Sequence, residues 1–261
     1  MSTKKCPSCS NSVDAAQMCC PLCGWQFSSP TLCATRPAGI ARSGQTLARG
    51  VTRPNWICSN ACMLGVLVRD KSGSMKGQKA RDASNASLDL VRVLAEPSNK
   101  DGFYCAVVDF DDNAAIIHPA VKATDLVIHM AELKPGFLGG CTNITDGLAK
   151  ARDIIAGFTP DDGRKQLRPV VLMFSDGGHN EGPDPDGVAI ALKADADLIC
   201  IAFGDSADEV ALQRWASPNM FTRCASGADL RKFFAAVGAT IQATRARGIN
   251  ATQTLASLSV T

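Results

Sequence analysis

Met63-Leu-Gly-Val-Leu-Val-Arg-Asp70-Lys-Ser-Gly-Ser74 is the stretch that decides the fold. Its first six residues are apolar or glycine, which reads as a strand buried on both faces within a parallel sheet. Asp70, Ser72 and Ser74 then put one carboxylate and two hydroxyls on the turn leaving that strand. Hard oxygen donors packed this closely suit Mg²⁺ or a similar ion, not zinc.

Outward from this strand the chain alternates between two hydrophobic periods. Strands are expected at 63–69, 103–109, 114–118, 169–175, 197–203 and 219–223. Helices are expected near 78–96, 124–133, 144–157, 186–194, 207–216 and 227–245. The first helix carries Ala83, Ala86, Leu90 and Leu94 on one stripe, and the last carries Leu230, Phe233, Phe234, Val237 and Ile241. Ser206 and Glu209 read as a capping box for the fifth. Asp111-Asp112-Asn113 between two short strands reads as a hairpin turn. Such alternation gives an α/β fold: a mostly parallel sheet with one antiparallel strand and helices on both faces.

Ligands of open α/β sheets bind beyond the carboxyl ends of the strands. Two further loops are expected there. Gly139-Gly-Cys-Thr142 precedes a helix and offers a hydroxyl, and Phe174-Ser-Asp176-Gly-Gly178 ends a buried strand with a carboxylate. Asp70, Ser72, Ser74, Thr142 and Asp176 together supply two carboxylates and three hydroxyls, with water left to complete an octahedral shell.

A D-x-S-x-S motif after a strand, then G-G-x-T before a helix, then S-D-G after a strand resembles the metal-ion-dependent adhesion site of von Willebrand factor A (VWA) domains. The resemblance covers roughly residues 60–245. It implies a Rossmann-like fold and Mg²⁺ (or Mn²⁺ or Ca²⁺) at those five residues. It also implies a coordination position kept for an Asp or Glu carboxylate of a partner protein. Arg69 and Lys71 depart from the usual pattern, and two added positive charges would favour acidic partners or weaken cation binding. The loop His179-Asn-Glu-Gly-Pro-Asp-Pro-Asp186 is expected to rim the site in solvent. A catalytic role for His179 needs a nucleophile or an oriented water, and the sequence names neither. His118 and His129 read as structural or solvent-facing.

Twelve cysteines are many for a chain of 261 residues, and five fall within residues 6–23. Cys6-Pro-Ser-Cys9 and Cys20-Pro-Leu-Cys23 are two CPxC knuckles whose four thiolates match tetrahedral Zn²⁺. So small a unit lacks an adequate apolar core, and metal would supply its folding energy. It resembles a short zinc ribbon. Cys19 is an alternative ligand, and Cys58 with Cys62 a possible second metal pair. Cys105 and Cys200 read as buried strand residues, and Cys141 adjoins Thr142, where oxidation would reach the site.

The expected organisation is a zinc ribbon at 1–27, a Ser/Pro/Arg-containing linker at 28–59, the VWA domain at 60–247 and a loose polar tail at 248–261. The linker carries Arg36, Arg42, Arg49 and Arg53 and no acid, which suits a solvated tether or an arm for a phosphate. A net charge of +2 does not by itself argue for a polyanion partner. No signal peptide and no membrane-spanning run is read, so the expected location is cytoplasmic.

The leading expectation is therefore a metal-dependent, non-enzymatic adaptor. It looks most like the TerY-like group of bacterial tellurite-resistance and stress proteins, which implies kinase or PP2C-type phosphatase partners. The alternatives are a subunit of a nucleic-acid repair or transcription complex, using the zinc ribbon and basic linker, and a Mg²⁺-dependent hydrolase, for which no activated nucleophile or base is visible.

Overall fold

The computed structural model describes residues 3–5, 12–14, 60–134, 140–161 and 163–258. The chain divides into two units, Met1–Thr52 and Arg53–Thr261, each described by itself. In the first, β1 (Thr3–Lys5) pairs antiparallel with β2 (Ser12–Asp14). The CPxC cysteines, Cys19, Cys58 and the expected linker lie outside the described residues.

The second unit is built around β3 (Ala61–Asp70), whose residues are all buried save the half-buried Gly65. Its side chains alternate between two cores. Ala61, Met63 and Leu67 face one, and Cys62, Leu64, Val66 and Val68 face the other. Apolar residues at successive positions thus mean helices on both sides, as a parallel strand requires.

The other strands are β4 (Phe103–Phe110), β5 (Ala114–Lys122), β6 (Lys165–Gln166), β7 (Val170–Ser175), β8 (Asp197–Phe203) and β9 (Phe221–Cys224). The sheet runs in the order β5-β4-β3-β7-β8-β9, with β6 paired to the start of β3. Every pairing in this sheet is parallel except β4 with β5, the hairpin turning through Asp111-Asp112-Asn113. The two exposed residues of β6 carry no periodic signal, and the sequence does not announce it.

The helices are α1 (Gln78–Leu94), α2 (Ala123–His129), α3 (Ile144–Gly157), α4 (Asp186–Asp195), α5 (Glu209–Trp215), α6 (Gly227–Arg247) and α7 (Thr252–Leu255). α1, α2, α6 and α7 supply residues to the core shared with Met63 and Leu67; α3, α4 and α5 supply the opposite one. Gly238 of α6 lets this helix approach α1 closely. A Cβ at 238 would stand 3.2 Å from Leu90 and from Val93. No helix among the described residues is long and apolar enough to cross a membrane.

Two expectations are corrected. Asp208, not Ser206, caps α5, accepting from Ala211 N at 3.0 Å, while the Ser206 hydroxyl donates to the Asp176 carbonyl at 2.9 Å. The capping box of this unit belongs to α6, where Ser226 and Asp229 each accept from the other's backbone N–H. Residues 248–258 are not a loose tail: Gly248 closes α6 at φ 70°, and Ala251 and Leu255 are buried in the core. Thr252 Oγ1 donates to Asp197 at 2.7 Å, and Asn250 accepts from Arg168 N at 2.9 Å.

Arg69 is fully buried at the end of β3. Its guanidinium grips Asp109 of β4 with two bonds of 2.6 and 3.0 Å and donates to the Ala131 carbonyl at 3.1 Å. Ala131 N donates to His118 Nε2 at 3.0 Å, which fixes that nitrogen as the unprotonated one. Burial first, then the nearby guanidinium, hold the His118 pKa below its ordinary 6.5.

Two outcomes follow from this network. Arg69→Ala strands a buried carboxylate and should lower the unfolding free energy by about 3–5 kcal/mol in a urea titration. A lowered histidine pKa means that the unfolded chain takes up the proton first. The contribution of His118 is therefore complete above pH 6.5 and is lost as the pH falls from there through the lower folded value. The urea midpoint should drop between pH 7.5 and 5.5, and His118→Gln should flatten that drop.

Candidate metal centre

Asp70 is the last residue of β3 and Ser175 the last of β7, and the register Arg69–Phe174 sets them side by side. The Ser175 hydroxyl donates to Asp70 Oδ2 at 2.5 Å, and Ser72 N donates to Asp70 Oδ1 at 2.7 Å. This second bond folds the turn back on its own strand and swings the serines over the strand end. A single 3₁₀ turn, Gly73–Met75, follows, with Met75 buried as its anchor. Ser72 Oγ and Ser74 Oγ lie 3.0 Å apart, and Ser74 Oγ donates to Asp176 Oδ1 at 2.6 Å.

Thr142 joins them from the loop before α3. A Cβ on Gly177 would lie 3.7 Å from Thr142 Oγ1 and 3.8 Å from Ser74 Oγ, so the three loops meet around that glycine. The Thr142 loop is held from two sides. Asn180 Oδ1 accepts from Thr142 N at 2.7 Å, and Asn180 N donates to the Thr142 carbonyl at 3.2 Å. On the other side the hairpin tip accepts from it: Asn143 N donates to the Asp111 carbonyl at 2.7 Å, Asn143 Nδ2 to the Asp112 carbonyl at 3.1 Å, and Cys141 N to the Asp112 carboxylate. Asn143 also caps α3, accepting from Asp146 N at 3.1 Å. The hairpin is thus a turn that positions a loop.

All five expected site residues stand together at one edge of the sheet. Asp70 and Asp176 are fully buried, and Ser72 and Thr142 nearly so. Burial, with a smaller contribution from the Asp176 charge, raises the Asp70 pKa, while hydrogen bonds from Ser175 and Ser72 oppose the rise. Two neighbouring buried carboxylates ringed by hydroxyls form an all-oxygen donor set that fits a hard divalent cation. Among the described residues there is no group of three or more His, Cys, Asp or Glu side chains placed to hold a metal ion, so the hydroxyls are essential to this donor set.

The flanking charges differ from expectation. Arg69 is committed to Asp109, and Lys71 pairs with Asp111 at 3.0 Å. Among the described residues Lys79 reaches the site, its Nζ 2.5 Å from Asp176 Oδ2. His179 is half-buried, not a solvated rim residue; its ring stands edge-on to Trp215 with centroids 6.3 Å apart. Of the rim acids, Asp186 pairs with Arg214 at 2.9 Å. Burial and the charges of Asp112 and Glu181 raise the Cys141 pKa, so its thiol is poor in the reactive thiolate. Burial pushes Cys105 up to about 12 and raises Cys200 as well, as inert strand residues require.

A family model for the von Willebrand factor type A domain matches residues 66–236. No protein with a curated description matches the chain. Among solved structures, proximal thread matrix protein 1 from the mussel byssus is 23% identical with a TM-score of 0.55, over 70% of this chain and 47% of that one. This chain therefore spans about half of that protein. The same mussel protein is also solved with a zinc-occupied MIDAS motif, at 22% identity and a TM-score of 0.56, over 69% of this chain and 48% of that one. The von Willebrand factor type A structure from Catenulispora acidiphila is 19% identical, TM-score 0.56, over 70% and 43% of the two chains. The pilus-tip protein Mfa5 domain from Porphyromonas gingivalis is 15% identical, TM-score 0.56, over 70% and 96%.

The site geometry itself has a measurable consequence. Ser175→Ala removes a hydroxyl donor from a buried carboxylate and should lower the unfolding free energy by about 1.5–3 kcal/mol. Urea unfolding in EDTA checks this, and an unchanged midpoint would show that Asp70 does not depend on that donor.

Proposed function

The chain belongs to the von Willebrand factor type A domain family, and from that premise we propose that it is a metal-dependent protein-binding module. Asp70, Ser72, Ser74, Thr142 and Asp176 would hold Mg²⁺, Mn²⁺ or Ca²⁺, directly or through water. When bound, the ion supplies a Lewis-acid position for an Asp or Glu carboxylate of a partner. One observation carries this reading: two fully buried carboxylates and three hydroxyls, drawn from three distant loops, share one strand-end cluster. Buried anions this close need an opposite charge, and a divalent ion suits the oxygen set.

The chain's own residues do the positioning. Ser175 and Ser72 N orient Asp70, Ser74 orients Asp176, and Asn180 with the hairpin tip fixes Thr142. Cys6, Cys9, Cys20 and Cys23 are proposed to bind Zn²⁺ and to stabilise their segment or recruit a second partner. On the looser TerY-like resemblance, the proposed setting is a cytoplasmic stress or defence system with a kinase or PP2C-type phosphatase.

Thermal unfolding with and without Mg²⁺ tests the metal reading. Stabilisation should grow with concentration, reaching about 2.7 kcal/mol at 100-fold over Kd, and should vanish in Asp70→Ala. Capture from a lysate of the source organism then tests the partner reading. A protein retained with Mg²⁺ but lost both in EDTA and with Asp70→Ala supports it. Retention that ignores both changes moves recognition away from this site.

A further inference from the structure

Lys79 breaks a local rule. It is the second residue of α1, where the helix dipole disfavours a cation, and the first turn holds no acid to offset it. Its side chain crosses to the third loop of the site, with Nζ 2.5 Å from Asp176 Oδ2. Gly204, at φ 87° after β8, lies alongside it: a Cβ there would be in van der Waals contact, 3.4 Å from Lys79 Cε and 3.5 Å from Nζ. The ammonium thus touches one oxygen of the carboxylate whose other oxygen accepts from Ser74. Asp176 is fully buried, while the Lys79 side chain is 36% exposed, so the lysine has a path to solvent and the carboxylate has none.

We propose that Lys79 is the site's tethered counter-ion, occupying Asp176 in the metal-free protein and giving way to the divalent ion, so that it sets the affinity for that ion. The proposal rests on the metal-site reading above. Its physical basis is simple. Asp176 and Asp70 are buried anions held close together, and leaving both uncompensated is costly. A lysine on a flexible stem supplies one positive charge without fixing the geometry, as a planar guanidinium would. An incoming dication must then displace the ammonium or accept its repulsion, and either lowers affinity. Arg69 and Lys71 cannot do the same, because Asp109 and Asp111 hold them.

Mg²⁺ binding by the full chain, followed by calorimetry, tests this; Mg²⁺ is the probe because thiolates do not favour it. Lys79→Met should bind Mg²⁺ at least about tenfold more tightly than wild type, a difference of about 1.4 kcal/mol. Lys79→Met should also melt at a lower temperature than wild type in EDTA, and the gap should close at saturating Mg²⁺. A lysine that only packs would lower both melting temperatures alike. Equal or weaker Mg²⁺ binding by Lys79→Met, with wild type binding normally, overturns the counter-ion role and leaves the metal site standing. Absence of Mg²⁺ binding by every variant, Lys79→Met included, overturns both.

Discussion

Two carboxylates at the ends of adjacent buried strands are the constraint on which this molecule turns. Asp70 closes β3 and Asp176 follows β7, and neither is exposed to solvent. A buried anion needs hydrogen bonds and an opposite charge, and two of them side by side need both more urgently. The surrounding residues answer that need. Ser175, Ser74 and the Ser72 amide donate to the carboxylate oxygens, and Lys79 supplies a positive charge. Ser72 and Ser74 come from the turn after β3 and Ser175 from the end of β7, so satisfying the acids also fixes those two segments against one another.

The same logic operates one layer out. Asp109 is the penultimate residue of β4 and the β4–β5 turn carries Asp111 and Asp112, so the strand edge is rich in acid. Arg69 neutralises the buried member of that set, and Lys71 the half-exposed one. Asp112 instead accepts from the Cys141 amide, turning an acid into a clamp on the loop that carries Thr142. Charge compensation and loop placement are thus one process. The bases that look in sequence like additions to the metal site are the partners of neighbouring acids.

Much of the fold was legible because its signals are local and repeated. The apolar run before Asp70 can only be covered from both sides, and the spacing of Leu230, Phe233, Phe234, Val237 and Ile241 admits one helical face. The clustering of Asp70, Ser72, Ser74, Thr142 and Asp176 was legible because three motifs follow one another in a fixed order, two at strand ends and one before a helix. What escaped depends on contacts between distant residues. Lys79 shows only as a base in a helix's first turn, and its partner lies 97 positions away. The cap of α5 was misread because Ser206 and Glu209 fit the capping-box spacing, yet Ser206 is drawn to the Asp176 carbonyl and leaves the cap to Asp208. Residues after Gly248 look polar and loose in sequence, but Ala251 and Leu255 find the apolar core and Thr252 finds Asp197. Two short apolar side chains carry no periodic signal.

Charge balance connects the lysine to the proposed ligand. With both carboxylates ionised, Asp70, Asp176 and Lys79 leave the cluster one negative charge, which suits uptake of a cation. Once a dication is held, the same three residues leave an excess positive charge if the ammonium remains nearby. A cluster with two acids and no lysine would be neutral at that point, with less attraction for an anion. On this reading the lysine opposes the metal and favours an acidic ligand, and its exposed stem lets it serve either state. Metal and carboxylate are then coupled: the carboxylate stabilises the loaded site, and by linkage the ion is held more tightly when the partner is present. A resident counter-ion would make this module respond to ion and partner together more than to either alone.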